Sequence, residues 1–214
     1  MYIRILRTLF FLLIVHPIAL IVIGLNVRRR EKLPQQGPAV VVSNHNSHLD
    51  ALVLMTVFGC RRLRILRPVA AADYFLSNRC VAWFSTHIIG IIPLTRHSTD
   101  SRSDPLQPIS DALTAGHIVI LFPEGTRGEP EKMDQFRTGV AHLARRHSEV
   151  PFVPVFMYGL GKALPRGEGL LVPFFCDVFV GDPWLWSGNR TTFMNIAIQR
   201  MDSLAAECHR PDWD

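Results

Sequence analysis

His45 and Asp50 stand five positions apart in Asn44-His45-Asn46-Ser47-His48-Leu49-Asp50, where an apolar run gives way to small polar residues. On one helix that spacing sets two side chains roughly 140° apart, so they meet only if His45 lies in a turn and Asp50 reaches back from the first turn of a following helix. The carboxylate would then accept the proton of one ring nitrogen and leave the other free as a base near neutral pH. The same residues also fit a purely local role, with Ser47 as a cap and Asp50 favouring the helix dipole. Neither Ser43 nor Ser47 has the flanking glycines that expose a serine nucleophile on a sharp elbow. His48 competes with His45 as base but stands only two residues from Asp50.

A second segment, Phe122-Pro123-Glu124-Gly125-Thr126-Arg127, places a carboxylate, a glycine, a hydroxyl and an arginine in one short stretch. Gly125 and Gly128 permit tight turns, Arg127 suits bidentate contact with a phosphate, and Thr126 adds a hydroxyl donor. A β-turn with a solvated ion pair is the plainer reading of these residues. Between the two segments, Gly90-Ile91-Ile92-Pro93-Leu94-Thr95-Arg96 is an apolar run ending in an arginine.

The elements that must position these residues follow from pattern. Ala39-Val40-Val41-Val42, after Gly37-Pro38, reads as a buried strand, and a helix begins near Leu49. His117 to Phe122 is a strand that Pro123 stops, Phe136-Arg137-Thr138-Gly139 opens a helix, and Pro151 to Phe156 is another strand. His142, Arg145, Arg146 and His147 form a basic helical face suited to solvent, head groups or an acidic donor. Thr192 to Cys208 reads as a closing helix, and Trp184 and Trp186 fit either a core or a membrane interface.

Four blocks in order, Asn44 to Asp50, Gly90 to Arg96, Phe122 to Arg127 and Val153-Pro154-Val155, resemble the glycerolipid acyltransferase family. Its best-known members are the 1-acylglycerol-3-phosphate (lysophosphatidate) acyltransferases. The resemblance implies an α/β fold, a mixed central sheet flanked by helices. It implies transfer of a fatty acyl group from a thioester, acyl-CoA or an acyl carrier protein derivative, to the hydroxyl of a lysophospholipid. The expected reaction turns 1-acylglycerol-3-phosphate into phosphatidate, with no cofactor beyond that donor and no metal. His45 becomes the general base and Asp50 its orienting acid. Arg96, Glu124, Gly125, Thr126 and Arg127 become the acceptor and phosphate site.

One stretch departs from the family. Where members that use lysophosphatidate often carry a lysine, Pro68-Val69-Ala70-Ala71-Ala72-Asp73-Tyr74-Phe75 has alanine. One cation is missing from the expected pocket, which keeps another lyso-lipid acceptor open. A non-enzymatic, lipid-binding membrane protein is the more distant alternative.

Composition agrees with a lipid-facing enzyme. The 214 residues are 48% hydrophobic, enough for one sizeable core and an appendage, and the net charge is +5. That charge favours an anionic surface, and without a nucleic-acid motif the expected partner is membrane lipid. The cysteines at 60, 80, 176 and 208 show no paired metal spacing and no dense disulfide pattern. Leu9 to Leu25 is apolar apart from His16, contains Pro17, and is flanked by Arg4 and Arg7 before it and Arg28-Arg29-Arg30 after it. Seventeen residues reach only about 26 Å, the short end for a membrane span, and the flanking charges set no orientation. Residues 1–30 are therefore expected to be a membrane anchor, a bent helix or helical hairpin, and 31–214 the α/β domain. The expected location is the cytoplasmic face of the inner or plasma membrane.

Overall fold

The computed structural model describes residues 2–47, 49–95, 104–126, 133–163 and 174–208. Among them, β1 (Leu25–Arg28), β2 (Ala39–Ser43), β3 (Leu66–Ala71), β4 (Ile92–Leu94), β5 (Ile118–Leu121), β6 (Phe152–Tyr158) and β7 (Cys176–Val180) make one seven-stranded sheet. Its order is β1-β7-β6-β2-β5-β3-β4. The strands β2 to β6 pair in parallel, while β7 is antiparallel to β6 and parallel to β1. The mixed α/β sheet expected from the four blocks is thus the fold observed.

The helices are α1 (Tyr2–Phe10), α2 (Asp50–Phe58), α3 (Ala72–Phe75), α4 (Arg79–Phe84), α5 (Gln107–Thr114), α6 (Gly139–Arg146), α7 (Leu160–Ala163) and α8 (Arg190–Ala205). Strands β2, β5 and β7 are buried at every residue, as strands of a sheet covered on both faces are, and apart from Ser43 and Asp177 their residues are apolar. Alternation splits each strand between two cores. Val40 and Val42 face the core made with α5, α6 and α8, and Ala39 and Val41 face the one made with α2 and the N-terminal helix. Trp184 belongs to the first core: its backbone bridges Phe152 and its ring packs against Phe152 and Phe193. Because Val42 pairs with Leu121, the loops after β2 and β5 leave the same end of the sheet side by side. That end is where parallel α/β sheets characteristically hold ligands.

The N-terminal segment is one continuous helix, Tyr2–Val22, long and apolar enough to cross a membrane. It starts seven residues before the apolar run, and it is not a hairpin. Phe11–Val15 and Ile18–Val22 take the wider π-helical turn on either side of His16 and Pro17. Their function in packing is visible in the buried stripe Arg7, Phe11, Val15, Ala19 and Ile23, each four residues after the last. In a pure α-helix that spacing would drift around the axis by roughly 40° per step, and wider turns absorb the drift. The stripe packs onto the domain along nearly the whole helix, while Ile5, Leu12, Leu13, Ile14, Leu20 and Ile21 stay exposed. The chain then enters β1, which begins at Leu25, before the boundary expected at residue 30, so the sheet includes the end of the N-terminal segment.

Arg7 fastens this helix. It is 7% exposed and donates through Nη2 to the carbonyls of Leu66 at 3.2 Å and Ile89 at 2.8 Å. Gly90 makes room: its φ is +76°, and a Cβ there would lie 2.8 Å from Arg7 Nη1. Replacing Arg7 strips the buried Leu66 carbonyl and the partly buried Ile89 carbonyl of a charged donor. Arg7→Leu is expected to cost about 1–3 kcal/mol, read as a fall in the thermal midpoint in detergent, whereas Arg4→Leu on the exposed face should shift it little.

Candidate active site

The site begins where β2 ends. Its five residues sit between β5 and β6, and the loop from Asn44 to Ser47 carries the chain to α2. Two asparagines clamp that loop onto β6. Asn44 donates through Nδ2 to the Met157 carbonyl at 2.8 Å and accepts the Met157 N–H at 2.8 Å, and Asn46 Nδ2 donates to the same carbonyl at 3.1 Å. The side-chain amides thereby continue the strand pairing that β2 has just abandoned.

Asp50 is the first residue of α2 and fully buried. Its Oδ2 accepts the backbone N–H of Asn46 at 2.6 Å and of Ser47 at 2.9 Å, and lies 2.9 Å from His45 Nδ1. With two donors already on that oxygen, the third contact is satisfied by the tautomer protonated at Nδ1, which makes Nε2 the basic nitrogen. His45 thus lies in the turn and Asp50 reaches back, the one geometry in which their spacing lets them meet. The imidazole is further held by Phe122, whose ring stacks on it at 4.3 Å and 23°. Its side chain remains 22% exposed, enough for a substrate to reach it.

The second segment abuts the first. Glu124 is 2% exposed, and its Oε1 accepts the backbone N–H of His45 at 3.1 Å. Gly125, at φ +73°, donates to the Phe122 carbonyl at 3.1 Å and closes the turn, with Thr126 exposed beyond it. Arg137 folds over this turn: its N–H donates to Pro123 O at 2.9 Å and its Nε to Glu124 O at 3.3 Å. A Cβ at Gly125 would sit 2.5 Å from Arg137 Nε, so glycine is needed for space as well as for conformation.

The structure thus brings His45, Asp50, Glu124, Gly125 and Thr126 to one end of the sheet, whereas His48, Arg96 and Arg127 lie outside the described residues. Sequence reasoning gave no role to Phe122, Asn44, Asn46 or Arg137. Arg137 was detectable only as a helix-opening arginine; it is an exposed residue beside the turn. Among the described residues no group of three or more His, Cys, Asp or Glu is placed to hold a metal ion.

A steadied imidazole at the C-terminal edge of a largely parallel sheet defines an α/β protein equipped for general-base chemistry. The Acyltransferase family model matches residues 24–158, and the chain belongs to that family. The chain is 32% identical over 149 residues to the chloroplastic 1-acyl-sn-glycerol-3-phosphate acyltransferase LPAT1 of Arabidopsis thaliana, covering 69% of this chain and 40% of that one. To 1-acyl-sn-glycerol-3-phosphate acyltransferase alpha of Homo sapiens it is 32% identical over 173 residues, 80% of this chain and 59% of that one. It therefore spans between two-fifths and three-fifths of the length of these relatives. The crystal structure of the 1-acyl-sn-glycerophosphate acyltransferase PlsC from Thermotoga maritima shares the fold, with a TM-score of 0.71 at 18% identity, covering 97% of this chain and 98% of that one.

Burial pushes the Glu124 carboxyl from its usual 4.5 up to about 7, over the opposing N–H donors of His45 and Asp134. Folding therefore binds a proton between those pH values, so the stability that protonated Glu124 contributes is complete below about 4.5 and is lost as pH rises through about 7. Glu124→Gln keeps an acceptor for the His45 N–H without a charge. Thermal unfolding from pH 5 to 8 is expected to show a flatter stability profile for this variant, with a gain of about 2–3 kcal/mol at the alkaline end. A slope equal to that of the unaltered protein would mean that Glu124 is ionised throughout.

Proposed function

We propose that this chain is an O-acyltransferase that moves a fatty acyl group from a thioester to the free hydroxyl of 1-acylglycerol-3-phosphate, giving phosphatidate. The observation that carries the reading is the 2.9 Å contact of His45 Nδ1 with buried Asp50, which leaves Nε2 as a base beside the Glu124–Gly125 turn. The names of the relatives and the shared fold support the same reading.

His45 Nε2 takes the proton of the lipid hydroxyl as its oxygen attacks the thioester carbonyl. The tetrahedral oxyanion collapses with cleavage of the C–S bond, and the imidazolium returns the proton to the departing thiolate. The products are an ester and a free thiol. Arg96 and Arg127 hold the acceptor phosphate, Thr126 donates to it, and Glu124 and Gly125 shape the turn, which together convert a bimolecular encounter into a positioned one. Arg137, exposed beside the turn, supplies a cation where the stretch around Ala70 to Ala72 has none.

The helix Tyr2–Val22 lies in the surface of one leaflet with its exposed apolar side in lipid. Two observations support this: its buried stripe is committed to the domain from Arg7 to Ile23, and Tyr74, Leu76, Val81 and Trp83 are further exposed apolar side chains. The contact between the Phe10 and Phe84 rings brings α4 beside the helix. The helix ends at the sheet end that carries the site, since Ile23 O accepts the Cys176 N–H and Asp177 pairs with Tyr158. A lipid acceptor then reaches His45 from the leaflet. The domain faces the cytoplasm, where its four cysteines, none of them in a disulfide, stay reduced.

Purified His45→Ala is expected to lose about 10²–10⁴-fold in turnover while keeping its fold and membrane association. Near-normal activity would remove His45 as the base. Arg96→Lys is expected to raise the acceptor KM more than the donor KM, because a planar fork of donors becomes a point charge. Equal effects on both substrates would remove Arg96 from the phosphate site. Turnover of one labelled thioester against a panel of lyso-lipids, with and without phosphate, ranks the acceptors directly.

A further inference from the structure

Phe122 is the first residue after β5, and the backbone on its C-terminal side is held twice. Its own carbonyl accepts the Gly125 N–H at 3.1 Å, and the carbonyl of Pro123 accepts the Arg137 N–H at 2.9 Å. Alternation sends Leu121 into the core under α5, α6 and α8, while the half-buried Phe122 ring packs against the core under α2 and the N-terminal helix. The ring is therefore fixed before any substrate arrives, and it covers one face of the His45 imidazole at 4.3 Å and 23°.

That geometry differs from the phenylalanine pairs elsewhere in the protein. Phe10 with Phe84 and Phe152 with Phe193 meet edge to face, at 88° and 81°, as rings with like quadrupoles do. Phe122 instead lies nearly flat on His45, and no other aromatic pair among the described residues has closer centroids. A parallel stack turns the electron-rich face of Phe122 toward the imidazole. That face attracts a neutral ring weakly and a positively charged one more strongly.

His45 gains a positive charge when Nε2 takes the proton of the attacking hydroxyl. Among the described residues, two charged or titratable groups meet it directly. Asp50 reaches Nδ1 from α2, and Glu124 accepts the backbone N–H from the turn after β5, with Arg137 and Asp134 beyond Glu124. Asp50 Oδ2 already serves two backbone N–H groups and meets the edge of the ring, not its face. The face is left to Phe122. An attraction felt by the imidazolium and hardly by the imidazole lowers the barrier without tightening the binding of either substrate.

We infer that Phe122 is a positioning residue for the acyl transfer, whose ring face stabilises the His45 imidazolium as it forms in the transition state. The inference rests on the acyl-transfer reading above and adds a group that acts only through His45. In the full chain in detergent, Phe122 is replaced by phenylalanines carrying one, two or three ring fluorines, which drain charge from the face at nearly constant shape. The trifluoro form is expected to lower kcat about 5–30-fold, with the other two forms between, while both KM values and the thermal midpoint stay unchanged. NMR of histidine-labelled protein, with His45→Ala to assign the signal among the nine histidines, should show the His45 ring taking its proton at progressively lower pH along the series. A kcat indifferent to fluorination, a loss confined to KM, or a titration that does not move would each overturn the inference. If the unaltered protein consumes no thioester, the acyl-transfer reading falls instead, and the titration still decides whether Phe122 acts on the ring.

Discussion

One carboxylate oxygen organises the end of the sheet where the site lies. Asp50 Oδ2 gathers the N–H groups of Asn46 and Ser47 and faces the imidazole Nδ1 of His45, in a position closed to solvent. A carboxylate so deeply buried is costly unless several donors meet it, and donors to a charged acceptor are worth about 1.5–3 kcal/mol each. The loop therefore curls around the aspartate because the aspartate needs it. Curling also turns the His45 N–H toward Glu124 and lays its ring against Phe122. Folding of the loop and orientation of the imidazole are one event, so a change at position 50 cannot weaken one and spare the other.

The two faces of the sheet meet different surroundings. On one, α5, α6 and α8 close a core under a surface rich in charge. On the other, α2 and the N-terminal helix cover the strands, and the helix turns its second side outward as bare aliphatic surface. A helix apolar all round would serve as a span, but Arg7 in its buried stripe has no place in hydrocarbon. That guanidinium is spent on two carbonyls of the domain, which ties the N-terminal helix to β3 and to the turn before β4. On the proposed reading, the aqueous and lipid sides are then separated by the thickness of one sheet, with the loops of β2 and β5 at the shared edge.

How much of this was legible in the sequence depends on the range of the interaction involved. The strands β2, β5 and β6 were readable because each is a short apolar run closed by proline, glycine or polar residues, and His45 with Asp50 was readable because their spacing admits one productive geometry. The strand β1 was not, since Leu25-Asn26-Val27-Arg28 follows a long apolar helix and only its pairing with Cys176 to Phe179, some 150 residues on, makes it a strand. The continuity of the N-terminal helix was not readable, because Pro17 in the middle of a seventeen-residue apolar run also fits a break, and only the packed stripe from Arg7 to Ile23 shows the helix continuing through π-turns on either side of it. Arg137 and Phe122 matter through contacts across two loops that spacing does not encode. The commitment of Arg146 was invisible for the same reason, since Asp104 and Ser110, which claim it, stand far back along the chain.

Glu124 shows how an acid can stand at a turn that, on the proposed reading, faces phosphate. Its carboxyl is needed as a short, rigid acceptor for the His45 N–H, and it must be buried to reach it. As a full anion it would oppose Asp50 and, on the proposed reading, the acceptor phosphate. Burial settles the conflict by raising its pKa to about 7, with Asp50 and Asp134 adding to the same effect, so near neutrality a large share of the molecules carry it uncharged. A neutral carboxyl still accepts the backbone bond, and its hydroxyl becomes a donor that the anion lacks. On the proposed reading, the positive charge of Arg96, Arg127 and Arg137 is left for the substrate, and the acid that braces the base takes none of it away.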